Sequence, residues 1–313
     1  MLSFFPDGIL YTHKDGYLFG GIMKKILTGV LALVLAGSAF ALDSENFIPE
    51  GTVASYTKTE YAVSTKFGDY FRSVAAKHVH VFANGLKKEV SSYNAKDELT
   101  DKLVYQYNTS RQLVSLTYTD ANNKTIWQDV YEYMADGRNK SSSQFDADGN
   151  LSSKTIYKYD GNKTIESFYD GTGKLLSRTV YTLNSKNQTE TEKQYFGDGS
   201  IALVINYSYD ENGKLKLANY VNENGTVESQ RCYKYDNKGF ISEVQVYDSN
   251  NILIERDIYK NDSNGNPTKI SVYEIGEKFG TSSNELKSVS EYSYKATASA
   301  IPVSPAPAIN DGK

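Results

Sequence analysis

A strand-like Tyr-x-Tyr, or a near copy of it, returns seven times along this chain, its first tyrosine at Tyr105, Tyr131, Tyr157, Tyr181, Tyr207, Tyr233 and Tyr259. The steps are 26 residues everywhere except between Tyr157 and Tyr181, where the step is 24. A fixed period of this length marks a chain of small structural units, each too small to bury its own apolar face and each completed by its neighbours.

Within one period the local grammar is that of hairpins. Tyr207-Ser-Tyr209-Asp210-Glu-Asn-Gly213-Lys-Leu215 and Tyr233-Lys-Tyr235-Asp236-Asn-Lys-Gly239-Phe-Ile241 are full copies. Half a period away stand looser ones with a single aromatic, such as Phe145-Asp146-Ala-Asp148-Gly149, Tyr169-Asp170-Gly-Thr-Gly173 and Tyr247-Asp248-Ser-Asn-Asn251. An Asp side chain can accept from amides further along a turn, and Gly or Asn tolerates the positive φ that closes it. The segments between turns are rich in Tyr, Val, Ile and Thr, which suit a pleated sheet. The reading is all-β: tandem antiparallel hairpins of about 26 residues forming one extended, twisted or curled sheet, an open solenoid or shell.

Side chains alternate across a strand, so both tyrosines of a motif share one face. Val104, Val130, Ile156, Val180 and Ile258 precede the first tyrosine and point the other way, as do Gln106, Glu132, Lys158, Ser208, Lys234 and Lys260 between the pair. The tyrosine face is expected to turn inward, with hydroxyls reaching polar partners. It is also the best candidate for a binding surface, because a row of aromatic rings can stack sugars or extended polymers. The residues assigned to such a site are Tyr131, Tyr133, Tyr157, Tyr159, Tyr207, Tyr209, Tyr233 and Tyr235.

The ends depart from the period. Residues 1–22 precede a second Met and are read as an upstream extension that is not translated. Residues 23–41 have the charged start, short apolar run and Ala39-Phe40-Ala41 site of a secretory signal peptide, cleaved after Ala41. Residues 42–78 are expected to cap the array, with Asp69–Lys77 left open between helix and strand. Repeats fill 79–294, and the Pro- and Ala-rich 295–313 forms a disordered tail.

Charge and composition narrow the chemistry. Beyond Ala41 the chain keeps 31 basic and 36 acidic residues, which leaves no electrostatic footprint for nucleic acid. Cys232 occupies the slot of Val104 and Ile156, so it reads as packing rather than a reactive thiol. His78 and His80 share a face but lack further ligands for zinc. The calcium-like Asp146–Asn150 and Asp262–Asn266 coincide with turn positions and lack the closing Glu of a calcium loop. Trp127 is read as core. No catalytic residues, cofactor or metal are assigned.

The pattern Y-x-Y-D-x-x-G-x-[LI], complete at Tyr207–Leu215 and Tyr233–Ile241, resembles the YD repeat of the RHS family over about residues 79–294. That resemblance implies antiparallel strands winding into a shell, with carbohydrate binding, adhesion or toxin encapsulation among the family's roles. The chain has no distinct domain after its repeats, so toxin delivery is not implied. The functional expectation is an exported, non-enzymatic protein, secreted or periplasmic, that binds a glycan, an envelope polymer or a protein partner, without stable membrane insertion. An outer-membrane β-barrel is the alternative. Lys, Glu, Gln and Ser at strand centres and uniformly short turns weigh against it. A carbohydrate-active hydrolase using carboxylates such as Glu166 and Asp170 is a weaker one.

Overall fold

The computed structural model describes residues 2–4, 10–12, 47–66, 69–278 and 281–297. The upstream extension falls largely outside the described residues; of it only β1 (Leu2–Phe4) and β2 (Leu10–Thr12) are described, paired with each other. The signal peptide lies wholly outside, and so does the tail beyond residue 297.

All other strands belong to one sheet. In chain order they are β3 (Val53–Lys66), β4 (Asp69–Ala83), β5 (Leu86–Asn94), β6 (Leu99–Tyr107), β7 (Leu113–Asp120), β8 (Thr125–Tyr133), β9 (Asn139–Asp146), β10 (Leu151–Asp160) and β11 (Lys163–Asp170). They continue as β12 (Leu175–Leu183), β13 (Thr189–Phe196), β14 (Ile201–Tyr209), β15 (Leu215–Val221), β16 (Val227–Tyr235), β17 (Ile241–Asp248), β18 (Leu253–Asn261), β19 (Pro267–Lys278) and β20 (Thr281–Ala296). Each pairs antiparallel with the next, and β20 pairs with β3 from Ser288↔Ala62 to Ala296↔Val53. The result is a closed up-and-down barrel of 18 strands.

Closure overturns the expected open solenoid or shell-like sheet. The stretch read as a cap supplies β3 and most of β4, which turn the would-be free edge into a seam with β20. Asp69–Lys77 is strand. Closure removes edges altogether, and among β architectures only a closed barrel satisfies every backbone group inside lipid. It therefore also overturns the expectation of no stable membrane insertion, because the barrel points to insertion. No helix among the described residues is long and apolar enough to cross a membrane, which says nothing of strands.

The turns follow the expected chemistry. In the β9–β10 hairpin, Gly149 N donates to Asp146 O at 3.1 Å, and Asp146 N donates to Asn150 O at 2.9 Å. Asp146 Oδ1 accepts from Asp148 N at 3.0 Å and Asn150 N at 2.8 Å. This is a type I turn followed by a left-handed residue, here Gly149 at φ 82°. The same geometry at Asp262–Asn266 shows both calcium-like stretches acting as turns.

A regular slip accompanies these turns. Tyr209 faces Leu215, but Ser208 faces Leu217, so Lys216 is a bulge; the same shift recurs at Tyr107/Leu113, Tyr133/Asn139, Leu183/Thr189, Tyr235/Ile241 and Asn261/Pro267. Bulges sharpen the local twist of a sheet and help it curl.

The second tyrosine of each motif answers the slip. Tyr235 Oη donates to Leu215 O at 2.8 Å, the carbonyl at the slipped position on the neighbouring, preceding strand. Tyr107 does so to Lys87 O (2.8 Å), Tyr133 to Leu113 O (2.7 Å), Tyr159 to Asn139 O (3.1 Å), Tyr209 to Thr189 O (2.6 Å) and Tyr294 to Pro267 O (2.7 Å). Each hydroxyl thus ties its strand to the bulged end of the hairpin before it. Tyr235→Phe is expected to destabilise the barrel by about 1 kcal/mol, the net worth of one such bond. Urea unfolding checks this, and an unchanged midpoint would show that water replaces the hydroxyl.

Candidate functional site

Burial identifies the two faces. Tyr105, Tyr131, Tyr157 and Tyr233 are buried, whereas Gln106, Glu132, Ile156 and Lys158 on the opposite face are exposed. The tyrosines therefore line the concave inside. Buried apolar residues gather there in three groups: Leu203, Ile205, Leu215, Ala218, Tyr233 and Val244 on β14–β17; Val90, Tyr105, Leu116 and Tyr131 on β5–β8; and Tyr56, Phe82 and Tyr292 at the seam. Each group stays on adjoining strands, so the lining is a wall rather than a single central core.

All eight candidate site tyrosines stand on this wall. Their hydroxyls have work within it. The second tyrosines, Tyr133, Tyr159, Tyr209 and Tyr235, hold the backbone carbonyls already described, while Tyr207 Oη donates to Glu192 Oε2 at 2.8 Å and Tyr131 Oη to Asp129 Oδ2 at 3.4 Å.

Between the tyrosines the wall carries charge, which the repeat period does not signal. Asp129, Glu166 and Glu192 are buried on β8, β11 and β13. Glu192 also accepts from Gln194 Nε2 at 2.8 Å, and Asp129 from Gln144 Nε2 at 3.1 Å. Buried Lys58, His80 and Lys87 lie on β3–β5. Counted around the 18 strands, nine on from β3–β5 come β12–β14, so β13 with Glu192 faces the basic arc from the opposite side. Arg231 and Asp257 add one charge of each sign on β16 and β18. Glu166 belongs to this lining, whereas Asp170 accepts turn bonds from Thr172 N and Lys174 N, both at 2.9 Å. The two residues of the hydrolase reading thus serve different parts of the structure.

The other singled-out residues are placed simply. His80 stacks on Tyr56 with ring centroids 4.2 Å apart, and His78 Nδ1 lies 3.1 Å from Ser92 Oγ. Among the described residues no cluster of His, Cys, Asp or Glu could hold a metal ion. Trp127 is half-buried on the inner wall, stacked on Tyr118 at 5.4 Å. Cys232 is half-buried on the outer face, between Leu217 and Gln245 on the flanking strands.

The outer face is banded along the barrel's height. Near the turns that follow β5, β9, β11, β13, β15, β17 and β19 lie directly opposed apolar pairs: Tyr93↔Leu99, Phe145↔Leu151, Tyr169↔Leu175, Tyr195↔Ile201, Val221↔Val227, Tyr247↔Leu253 and Tyr273↔Leu286. Below them run Val104, Val130, Ile156, Val180, Val204, Cys232 and Ile258, alternating with polar neighbours. Toward the other end stand Gln106, Glu132, Lys158, Thr182, Ser208, Lys234 and Lys260. There Glu243 takes Arg256 at 2.7 Å and Lys234 at 3.7 Å.

No family model matches the chain. No curated protein matches it either. Among solved structures it is similar to a porin-like protein from Bacteroides uniformis, at 12% identity and a TM-score of 0.30, over 78% of this chain and 98% of that one. It is also similar to the TcdB2-TccC3 complex, at 12% identity and a TM-score of 0.26, over 68% of this chain and 16% of that one. The Photorhabdus luminescens Tc holotoxin pore gives 11% identity, a TM-score of 0.22 and coverages of 69% and 15%. At these TM-scores neither likeness carries a conclusion about function. The closed barrel does.

Proposed function

We propose that this protein is a non-enzymatic outer-membrane β-barrel of a bacterial cell envelope. The observation that carries this reading is closure: 18 antiparallel strands with β20 bonded to β3. It favours the barrel over the exported sheet-binding protein. An even number of antiparallel strands and an outward aromatic girdle are features of such barrels. The 7–10 residues of β5–β18 are close to the length that a tilted strand needs to cross a bilayer.

The reading extends to passage of a polar solute. Barrels of 16–18 strands are in the size class that leaves a water-filled channel. In this one the solute path would run past the eight tyrosines and between the acidic and basic arcs, a lining suited to a neutral or zwitterionic hydrophilic molecule.

The test is reconstitution of the chain from residue 42 into planar bilayers and vesicles. Expected are stepwise conductance and a band that shifts on boiling in SDS. A protein that stays in buffer, leaves vesicles intact and gives no steps would return the exported binding protein as the better account.

A further inference from the structure

The inward residue that faces the first tyrosine of each motif follows a rule with two exceptions. It is Leu116, Ser142, Ala218, Val244 or Ile270 opposite Tyr105, Tyr131, Tyr207, Tyr233 or Tyr259. Opposite Tyr157 and Tyr181 it is Glu166 and Glu192. Two neighbouring repeats thus put a carboxylate where the others put a small or apolar side chain.

The two carboxylates fare differently. Glu192 accepts from Gln194, two residues along β13, and from Tyr207, fifteen residues on. At the same offsets from Glu166 stand Phe168, which has no donor, and Tyr181. Among the described residues no hydrogen bond or ion pair reaches Glu166, although it is only 7% exposed. Burying a carboxylate without a partner is costly. The surrounding wall does not offset that cost, because the inward positions of β8–β15 carry no Lys, Arg or His. Arg138, on the turn before β9, lies over the Tyr159 ring at 4.2 Å and is held by Asp136 at 2.6 Å.

We propose that Glu166, with Tyr157 and Tyr181 beside it, binds the ammonium group of an organic solute inside the barrel. Tyr157 lies directly opposite Glu166 on β10, and Tyr181 lies one residue pair along on β12. At such spacings both rings border the carboxylate. An ammonium supplies the N–H donors that Phe168 lacks, neutralises the buried charge and is attracted to aromatic faces. A metal ion is the poorer fit, since among the described residues no three His, Cys, Asp or Glu side chains converge. The inference names the chemical group that the acidic arc takes from a solute; it rests on the solute-passage reading for the ligand's way in.

The probe is n-butylammonium, with n-butanol as its uncharged match. Binding is followed by NMR titration of the full chain, in detergent or in buffer, at about 0.15 M sodium chloride, where diffuse counter-ion effects are screened. Saturable binding is expected, with amide shifts centred on residues 164–168 and 179–181. Butanol, and butylammonium on the Glu166→Gln variant, are each expected to bind at least about tenfold more weakly. Glu192→Gln alters a carboxylate that already has two donors, and should cost less than the change at Glu166. No saturable binding, equal binding by butanol, undiminished binding by Glu166→Gln, or a larger loss at Glu192 overturns the proposal. If Glu166→Gln does not fold, the shift map of the unaltered protein decides: shifts centred on β11 and β12 support the site, and shifts centred elsewhere overturn it. Binding is read without a bilayer or a current, so failure here and failure of the channel reading are distinguishable.

Discussion

Tyr56→Ala is expected to destabilise the barrel by about 3–5 kcal/mol, the range for emptying a buried aromatic site. Tyr56 is 1% exposed and sits where β20, β3 and β4 meet. Its ring stacks on His80, packs at 5.9 Å from Phe82, and lies 6.2 Å and 5.7 Å from Tyr292 and Tyr294. Phe47 covers it edge-on at 5.6 Å. Removing the ring takes contacts from both sides of the seam at once, and the surrounding strands, held by their ladders, can collapse only partly into the gap. The measurement is the urea midpoint at constant slope; a loss under about 1 kcal/mol would mean that the seam is held by backbone pairing alone.

Ending the chain at Lys287 should have a larger effect still. That truncation removes the part of β20 that pairs with β3 and leaves two unpaired edges, one on each side of the break. In water such a sheet would survive as a sticky, open meander. In lipid each unpaired backbone group costs several kcal/mol, so the truncated chain should neither insert nor show a shift on boiling. Normal insertion of the shortened chain would sink the claim that closure is what fits this protein to a membrane.

How much of this was readable beforehand can be traced to particular residues. Strand positions, the all-β class and the turn chemistry followed from Tyr-x-Tyr and Asp-x-x-Gly, because both signals act within a few residues. The seam did not follow. Val53–Lys66 and Asp69–Ala83 carry no Tyr-x-Tyr, and the pairing of the first with β20 joins residues more than 200 apart, a distance at which no local pattern speaks. The charges of the wall were hidden too: Asp129, Glu166 and Glu192 occupy inward positions that other repeats give to Ser142, Thr155 or Ile205, so they look like noise in the period.

The one irregular step was more informative than its neighbours. Between Tyr157 and Tyr181 the step is 24 residues, and the second tyrosine of the later motif is replaced by Leu183. Both departures have one cause. The β10–β11 hairpin closes on Gly161 and Asn162 between Asp160↔Lys163, with no bulge along its length. With no slipped carbonyl to hold, a hydroxyl at position 183 has no task. Asn261, which stands in the same slot where the bulge is present, sends its amide to Ile241 O at 2.7 Å. Tyrosine, asparagine and leucine at one position thus report whether the hairpin just before it is bulged.

Because the strand number is even, the first and last strands of the wall finish at the same rim, where Thr297 N donates to Thr52 O at 3.2 Å. The polypeptide leaves the ring almost where it entered. Around the circumference nothing distinguishes that junction from a turn except a missing peptide link. A gene could therefore open at many of the short hairpins and still encode the same cylinder, with its numbering rotated.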